Sequence, residues 1–268
     1  MMSQKVNAER RFGALNRLYG DNSLNALQAA HIMVAGIGGV GSWCVEALAR
    51  SGVGRITLID MDHISESNIN RQLPALGSTV GQAKIETMRA RILDINPFCD
   101  VGLIDDFIGP DNVQPLLATQ PHVLIDCTDQ ADAKIAMILA AKRAKIKLYV
   151  CGAAGGKRNP LALRSGDMSE CTHDAMLAKL RARLRKEHGF PRPKADKKNS
   201  RIPKMGVTVF WLQEQAVMPS AWQQSASENE QKSDAPQGLS CAGYGSSVTV
   251  TAPMGFAVAQ AAMDYVLA

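Results

Sequence analysis

Residues 32–42 read Ile-Met-Val-Ala-Gly-Ile-Gly-Gly-Val-Gly-Ser, and no other stretch limits the fold as strongly. An apolar, partly β-branched run ends at Gly36. Gly36, Gly38 and Gly41 then give G-x-G-x-x-G spacing, and a helical pattern follows over 42–51. In a strand–turn–helix unit of this kind the first glycine allows a tight turn and the second lets backbone N–H groups approach a phosphate. The third lets helix and strand pack closely. The helix N-terminus adds partial positive charge facing the anion. The motif alone does not choose the nucleotide, and a glycine turn with a purely structural role is the alternative reading.

Strand and helix patterns alternate beyond the motif. Strands are expected over 32–35, 55–59, 101–104, 123–125 and 148–150, and helices over 24–30, 42–51, 82–94, 111–118 and 131–145, after a polar lead-in. That rhythm predicts an α/β fold, a Rossmann-like doubly wound and mostly parallel sheet with helices on both faces. The 268 residues are expected to form one domain, 1–268, with a nucleotide-binding core over about 11–155. A basic segment over 177–204 and a C-terminal strand and helix over 206–268 complete it. Residues 238–263 carry no charge and raise the question of a membrane span. Their Gly, Ser and Thr content, Pro253, and Gln260 and Asp264 on the following helix favour a buried strand and a core helix instead. No apolar h-region marks a signal peptide at the N-terminus. The six cysteines include no C-x-x-C pair, so reduced thiols in a cytoplasmic protein are the simpler expectation.

The loops after the strands hold the reactive side chains, as expected where ligands sit beyond the carboxyl ends of a doubly wound sheet. Asp60 falls 24 residues after Gly36, about where an acidic residue meets ribose hydroxyls in dinucleotide folds. Arg71 lies in the loop that follows and Lys84 in the next first helical turn, two cations placed to hold a triphosphate. Asp126-Cys127-Thr128-Asp129 closes a later strand, and a carboxylate there, facing phosphates, suits Mg²⁺. Asp126 either shares that metal with Asp129 or caps the next helix, while Asp62 orients its loop. Cys127 reads as a packed thiol. Cys171, beside His173 and near basic residues that lower a thiol pKa, is a weaker nucleophile candidate. Trp43 and Trp211 are expected in the core, and Trp222 in a mobile polar loop over 213–237.

The stretches G-I-G-G-V-G-S, D-M-D-H-I-S-E-S-N-I-N-R-Q, G-Q-A-K and D-C-T-D occur in this order. In them the sequence resembles the E1-like adenylating family, the ThiF/MoeB/HesA proteins and the catalytic domains of ubiquitin-activating enzymes. The resemblance implies that Gly36, Gly38, Gly39 and Gly41 form the nucleotide loop and that Asp60 meets the ribose. Arg71 and Lys84 become phosphate clamps, Asn68 a polar helper and Asp129 the Mg²⁺ ligand, with ATP as the nucleotide. It also implies a homodimer in which an N-terminal arginine, Arg11 or alternatively Arg17, reaches the partner copy's γ-phosphate. Sulfur-carrier activators of this family bear two zinc-binding C-x-x-C pairs near the C-terminus, and this chain has none. Its R-S-G-V-G-R-I-T-L-I-D, S-N-I-N-R-Q, G-A-A-G-G-K and L-A-K-L-R-A-R-L-R-K stretches resemble instead the subgroup of tRNA threonylcarbamoyladenosine dehydratases.

That subgroup implies activation of a carboxylate on the modified adenosine 37 of tRNA by adenylation, then ring closure within the same side group and release of AMP. Intramolecular closure enjoys an effective concentration of about 10⁵ M or more, so no covalent enzyme intermediate is required. The charge distribution agrees with an RNA substrate. The whole chain has a net charge of +5, yet residues 179–204 hold eleven Lys/Arg against two acidic residues. Lys179, Arg183 and Lys186 share one helical face, and Lys197 and Lys198 follow in a loop. A solvated charged helix is the bland reading of the same run. The rival functions are activation of a ubiquitin-like sulfur carrier, an NAD-dependent oxidoreductase, and a tRNA-binding scaffold without catalysis. A sulfur-transfer protein partner is left open.

Overall fold

The computed structural model describes residues 6–193, 202–219 and 243–268. Seven strands form one sheet: β1 (His31–Ala35), β2 (Arg55–Ile59), β3 (Asp100–Ile104), β4 (Val123–Asp126), β5 (Lys147–Cys151), β6 (Leu163–Asp167) and β7 (Thr208–Leu212). Their spatial order is β3-β2-β1-β4-β5-β7-β6, parallel throughout except for β6, which runs antiparallel to β7. From β1 the chain moves to one side through β2 and β3, then returns to lay β4 on the other side. The resulting switch point lies between the carboxyl ends of β1 and β4, where an open α/β sheet forms its ligand crevice.

Both faces of the sheet are covered, which explains why all five residues of β1 are buried. Ile32 and Val34 pack with α4 (Gly41–Arg50), α5 (Lys84–Ile95) and the C-terminal helix, α9 (Val248–Leu267). Met33 and Ala35 face the other way, onto α6 (Val113–Leu117) and α7 (Ala131–Ala144). A further cluster joins α7 to α8 (Ala175–Glu187) through Ile138, Leu177, Leu180 and Leu184 against Val150, Val209 and Trp211.

The N-terminus departs from the polar lead-in expected there. It forms α1 (Ala8–Phe12) and α2 (Ala14–Tyr19) before α3 (Ser23–Ala29). Each is too short to display a full hydrophobic period in sequence. Asn7 caps α1 by accepting from the Arg10 N–H at 2.9 Å. The strand expected within 238–263 is also corrected: among the described residues no strand occurs there, and the β-branched run 248–251 is the first turn of α9. Ser247 starts that helix by accepting from the Thr249 N–H. Gly255 then lets α9 lie against α4, since a Cβ at that position would stand 2.5 Å from the Val40 carbonyl oxygen. The absence of charge over 250–263 therefore accompanies packing of that helix into the core. Among the described residues no helix is long and apolar enough to cross a membrane.

One buried histidine links stability to pH. The His31 ring nitrogen Nε2 lies 2.8 Å from Thr57 Oγ1, and its backbone N–H donates to His122 Nδ1. Burial, then Arg55 and His122, push its pKa down to about 4, with Asp100 opposing. The unfolded chain binds this proton near pH 6.5, so the neutral ring's contribution is complete above that pH and is lost as the pH falls toward 4. We expect the unfolding free energy to drop by about 3 kcal/mol from this group between pH 7 and pH 4. Urea titrations of the parent and of His31→Gln should differ in slope over that window; parallel pH profiles would refute the assignment.

Candidate functional site

A cavity of about 370 Å³ occupies the switch point. Gly36 leaves β1 with φ +84°, its N–H held by the Ile59 carbonyl, and a Cβ there would stand 2.8 Å from the backbone of Cys127. At Gly41 a Cβ would overlap the Gly36 carbonyl oxygen. Both positions therefore require glycine for packing, whereas Gly38 opens on the cavity with only Gln72 Nε2, at 3.9 Å, near its missing Cβ. Gly39 touches Thr251 and Arg71. Gly36 and Gly41 thus close the turn, while Gly36, Gly38 and Gly39 border the space.

Asp60 ends β2 and is fixed from two sides. Its Oδ2 accepts from the Ile37 N–H at 2.6 Å, and its Oδ1 from the Asp62 N–H at 2.8 Å. Burial pushes the Asp60 pKa up, opposed by the charge of Lys84 and by these backbone donors. Lys84, only 5% exposed, opens α5. Its Nζ lies 2.7 Å from Asp62 Oδ2 and 4.0 Å from Asp60 Oδ1. The strand-like pairing of His63 with Ala83 and the hydrogen bond from Lys84 N to Asp62 O bring these residues together. Asp62 lines the cavity as well as pairing with Lys84.

Asn68 is a structural residue as much as a lining one. Its Oδ1 accepts from the Ser65 N–H at 3.0 Å, closing a capping box around the 3₁₀ turn Glu66–Asn68. Arg71 donates through Nη1 to Ser67 O and Asn70 Oδ1, and its own carbonyl accepts from Trp43 Nε1 at 3.0 Å. Arg71, Lys84, Asp60, Asn68 and Asp129 all line the same cavity. The first helical turn expected over 82–84 begins at Lys84, so the ammonium projects from the helix start.

Two expectations need correction, those for Asp126 and Cys171. Asp126 neither faces a metal nor caps α7, whose N-cap is Gln130. Asp126 and Lys134 are both fully buried; Lys134 Nζ donates to Asp126 Oδ1 at 3.0 Å and to the Cys151 carbonyl at 2.9 Å. The ion pair ties the ends of β4 and β5 to α7. Cys171 is not activated by nearby cations: burial first, then Asp174, push its pKa up to about 12 against Arg181 and Lys157. Arg11 lies at the far end of α5, donating to Asp94 O and Ile95 O, roughly 16 Å of helix from Lys84. It does not line the cavity of its own chain. Arg17 is exposed on α2.

Cys127 and Cys151 sit with sulfurs 3.8 Å apart beneath the glycine loop. A shared hydrogen bond and burial push the Cys127 pKa well up, which fits a packed thiol. Trp211 is buried and Trp43 half-buried against Phe256. Along α8, Arg183 is spent on Asp132 and Glu187, while Arg181 holds the Met168 and Cys171 carbonyls and Arg185 holds Pro191 O. Lys179 and Lys186 are exposed; Lys197, Lys198 and Trp222 lie outside the described residues.

Sequence reasoning missed other wall residues. Gln72 follows Arg71 and is buried on the cavity wall with its Oε1 unpartnered, an atom that a polar ligand would satisfy. Phe107 and Ile108 follow β3, where the rule about strand ends would have pointed. Ser246 and Thr251 arrive from the distant C-terminal part and had no local signal.

Residues 12–268 match the ThiF family. The chain belongs to the ThiF family. Within it, the chain is 39% identical over 269 residues to the tRNA threonylcarbamoyladenosine dehydratase of Haemophilus influenzae, covering 100% of this chain and 97% of that one. The enzyme of the same description from Escherichia coli is 40% identical over 260 residues, 97% and 94% of the two chains. The crystal structure of the E. coli dehydratase TcdA in complex with ATP superposes with a TM-score of 0.82 at 38% identity, over 96% of this chain and 94% of that one. The likeness to these family members therefore extends through both the nucleotide half and the C-terminal half.

Proposed function

We propose that this protein is an ATP-dependent tRNA threonylcarbamoyladenosine dehydratase. The full-length likeness to the H. influenzae dehydratase carries this reading. The cavity supplies the chemistry it needs: a glycine loop, two cations and carboxylates converge where a doubly wound sheet takes its nucleotide. A carboxylate oxygen is a poor leaving group until it is attached to phosphorus. One oxygen of the threonyl carboxylate attacks the α-phosphorus of ATP, forming an acyl-adenylate and expelling pyrophosphate. A nitrogen or oxygen of the same side group then attacks the acyl carbon, and AMP departs with the carboxylate oxygen. The elements of water thus leave as that oxygen, now on AMP, and the proton given up by the attacking nitrogen or oxygen.

The site residues have separate tasks in this scheme. Backbone N–H groups around Gly36, Gly38, Gly39 and Gly41 meet the phosphates, and Arg71 and Lys84 stabilise the charge that builds on them. Asp60 holds the ribose. Mg²⁺ fits as an ion that arrives with the phosphates. Among the described residues no cluster of three or more potential ligands would hold a metal unaided, and one carboxylate with phosphate and water suffices for it. Asp129 would be that carboxylate, and the ion would supply charge neutralisation. An arginine supplied in trans, Arg11 or alternatively Arg17, would require a homodimer; within its own chain Arg11 lies at the other end of α5 from Lys84. The chain works as one unit, 1–268, in which the core over 11–155 activates, the basic segment over 177–204 holds tRNA, and Ser246 and Thr251 complete the cavity wall.

Release of AMP and pyrophosphate should require tRNA bearing the threonylcarbamoyl group. Release driven by a ubiquitin-like carrier protein instead, or hydride transfer with NAD, would replace this reading with one of its rivals. The zinc-binding pairs of sulfur-carrier activators are missing from the sequence, and neither Arg71 nor Lys84 has a task in hydride transfer.

The exposure of Lys179 and Lys186 favours them over the paired Arg183 as RNA contacts. Reversing Arg183 would break its pairs with Asp132 and Glu187 and disturb the packing of α8 on α7. We expect Lys179→Glu, Lys186→Glu, Lys197→Glu and Lys198→Glu together to weaken tRNA binding at least tenfold at moderate salt, and to flatten its salt dependence. ATP affinity should stay unchanged; equal tRNA affinity in the variant would assign the run to solvation alone.

A further inference from the structure

A second groove, of about 500 Å³, borders the nucleotide cavity and shares Ser246 with it. Three distant segments build it: the turn at Gly156–Arg158, residues 217–219, and the turn at 243–247. Backbone hydrogen bonds stitch them together, from Gly156 N to Gly245 O at 2.9 Å and from Val217 N to Gly156 O at 2.8 Å. Gly156 has φ +72°, and a Cβ there would meet Ala216, the Tyr244 ring and the Val217 carbonyl at 3.0–3.2 Å. The turn is therefore packed closely against that ring.

The wall is mostly apolar, with Val217 40% and Met218 44% exposed beside Pro219 and Tyr244. Exposed Arg158 stands at its edge. Lys157 points inward instead, its ammonium donating to the His173 and Glu214 carbonyls. The groove falls in the size range of about 300–1,000 Å³ that takes small organic groups. An aromatic ring, a methionine and a proline with one cation at the rim suit a flat base attached to a phosphodiester. Unpaired bases of RNA are read in this manner, splayed out and laid on aromatic and apolar side chains.

We propose that this groove seats the base of the tRNA nucleotide whose carboxylate is activated in the neighbouring cavity. The proposal rests on the dehydratase reading above. With the base in the groove, its acid-bearing side group passes Ser246 toward the phosphate end of the nucleotide cavity. The groove then selects the nucleotide.

The test is the KM for threonylcarbamoylated tRNA in AMP release, measured beside ATP affinity and thermal stability. Tyr244→Ala removes the ring, and Val217→Trp fills the groove from an exposed position. Each should raise the KM for tRNA about tenfold or more, in line with the loss of one stacked base, with ATP affinity unchanged. Tyr244→Phe keeps the ring and should retain the parent KM. An unchanged KM in Val217→Trp, or equal losses in Tyr244→Ala and Tyr244→Phe, would overturn the groove while leaving the dehydratase reading in place. Failure of the unaltered protein to release AMP with modified tRNA would overturn both.

Discussion

Replacing Lys84 with Met lowers tRNA-dependent AMP release by about 10²–10³-fold, the loss typical of removing one charged donor from a developing oxyanion. The argument begins with burial. Lys84 is held at the start of α5 with its ammonium between Asp62 and Asp60. The Asp62 side chain is 57% exposed and that of Asp60 only 10%, so the two partners of Lys84 differ in how readily they are exchanged. A phosphate entering the cavity takes the place of the exposed Asp62 carboxylate, which returns to water at little cost. Asp60 remains fixed by the Ile37 and Asp62 N–H groups. Methionine keeps the length of the side chain and removes the charge, leaving Asp60 buried without its nearest cation. Thermal stability should therefore fall modestly alongside the rate. The check is kcat for AMP release at saturating ATP, on protein shown to be folded. A rate within tenfold of the parent would mean that the ammonium does not meet the reacting phosphate.

The largest loss of stability is expected at a position outside the reaction. Lys134→Met should cost about 3–5 kcal/mol, the usual penalty for leaving one member of a buried ion pair without the other. Both Lys134 and Asp126 have side chains with no exposure, and Asp126 Oδ2 has no hydrogen-bond partner even with the lysine present. Without Lys134 the carboxylate keeps only the Thr128 N–H and hydroxyl on Oδ1. The Cys151 carbonyl loses its side-chain donor as well. Asp126→Asn in the Lys134→Met background should recover part of the loss by removing the uncompensated charge. Urea unfolding of the single and double variants measures both quantities. A loss under about 1 kcal/mol for Lys134→Met would show that the pair is not buried in solution.

The readable and unreadable parts of this chain divide by the range of the interactions involved. The glycine loop, Asp60 and the loop holding Arg71 are local, so spacing alone located them, and the strand over 55–59 has the predicted limits. Lys134 carries no signal in the sequence, because only the fold brings Asp126 and the Cys151 carbonyl to it. The edge strand β6 reads Leu-Arg-Ser-Gly-Asp, with one apolar residue, and its pairing with β7 supplies what its sequence does not advertise. Val248-Thr249-Val250-Thr251 has strand-like composition, yet Ser247 caps it and burial against α4 makes it helical. Basic residues along α8 were visible by type, but their division into exposed Lys179 and Lys186 and engaged Arg181, Arg183 and Arg185 depends on α7 and the carbonyls nearby.

The central claim is that the threonyl carboxylate is activated by forming a bond to the α-phosphorus of ATP. Oxygen tracing tests it most directly. With ¹⁸O in the carboxylate of threonylcarbamoylated tRNA, the claim predicts one labelled oxygen in the phosphate of released AMP and none in pyrophosphate. Label appearing in inorganic phosphate with ADP as the other product, or unlabelled AMP, would contradict it.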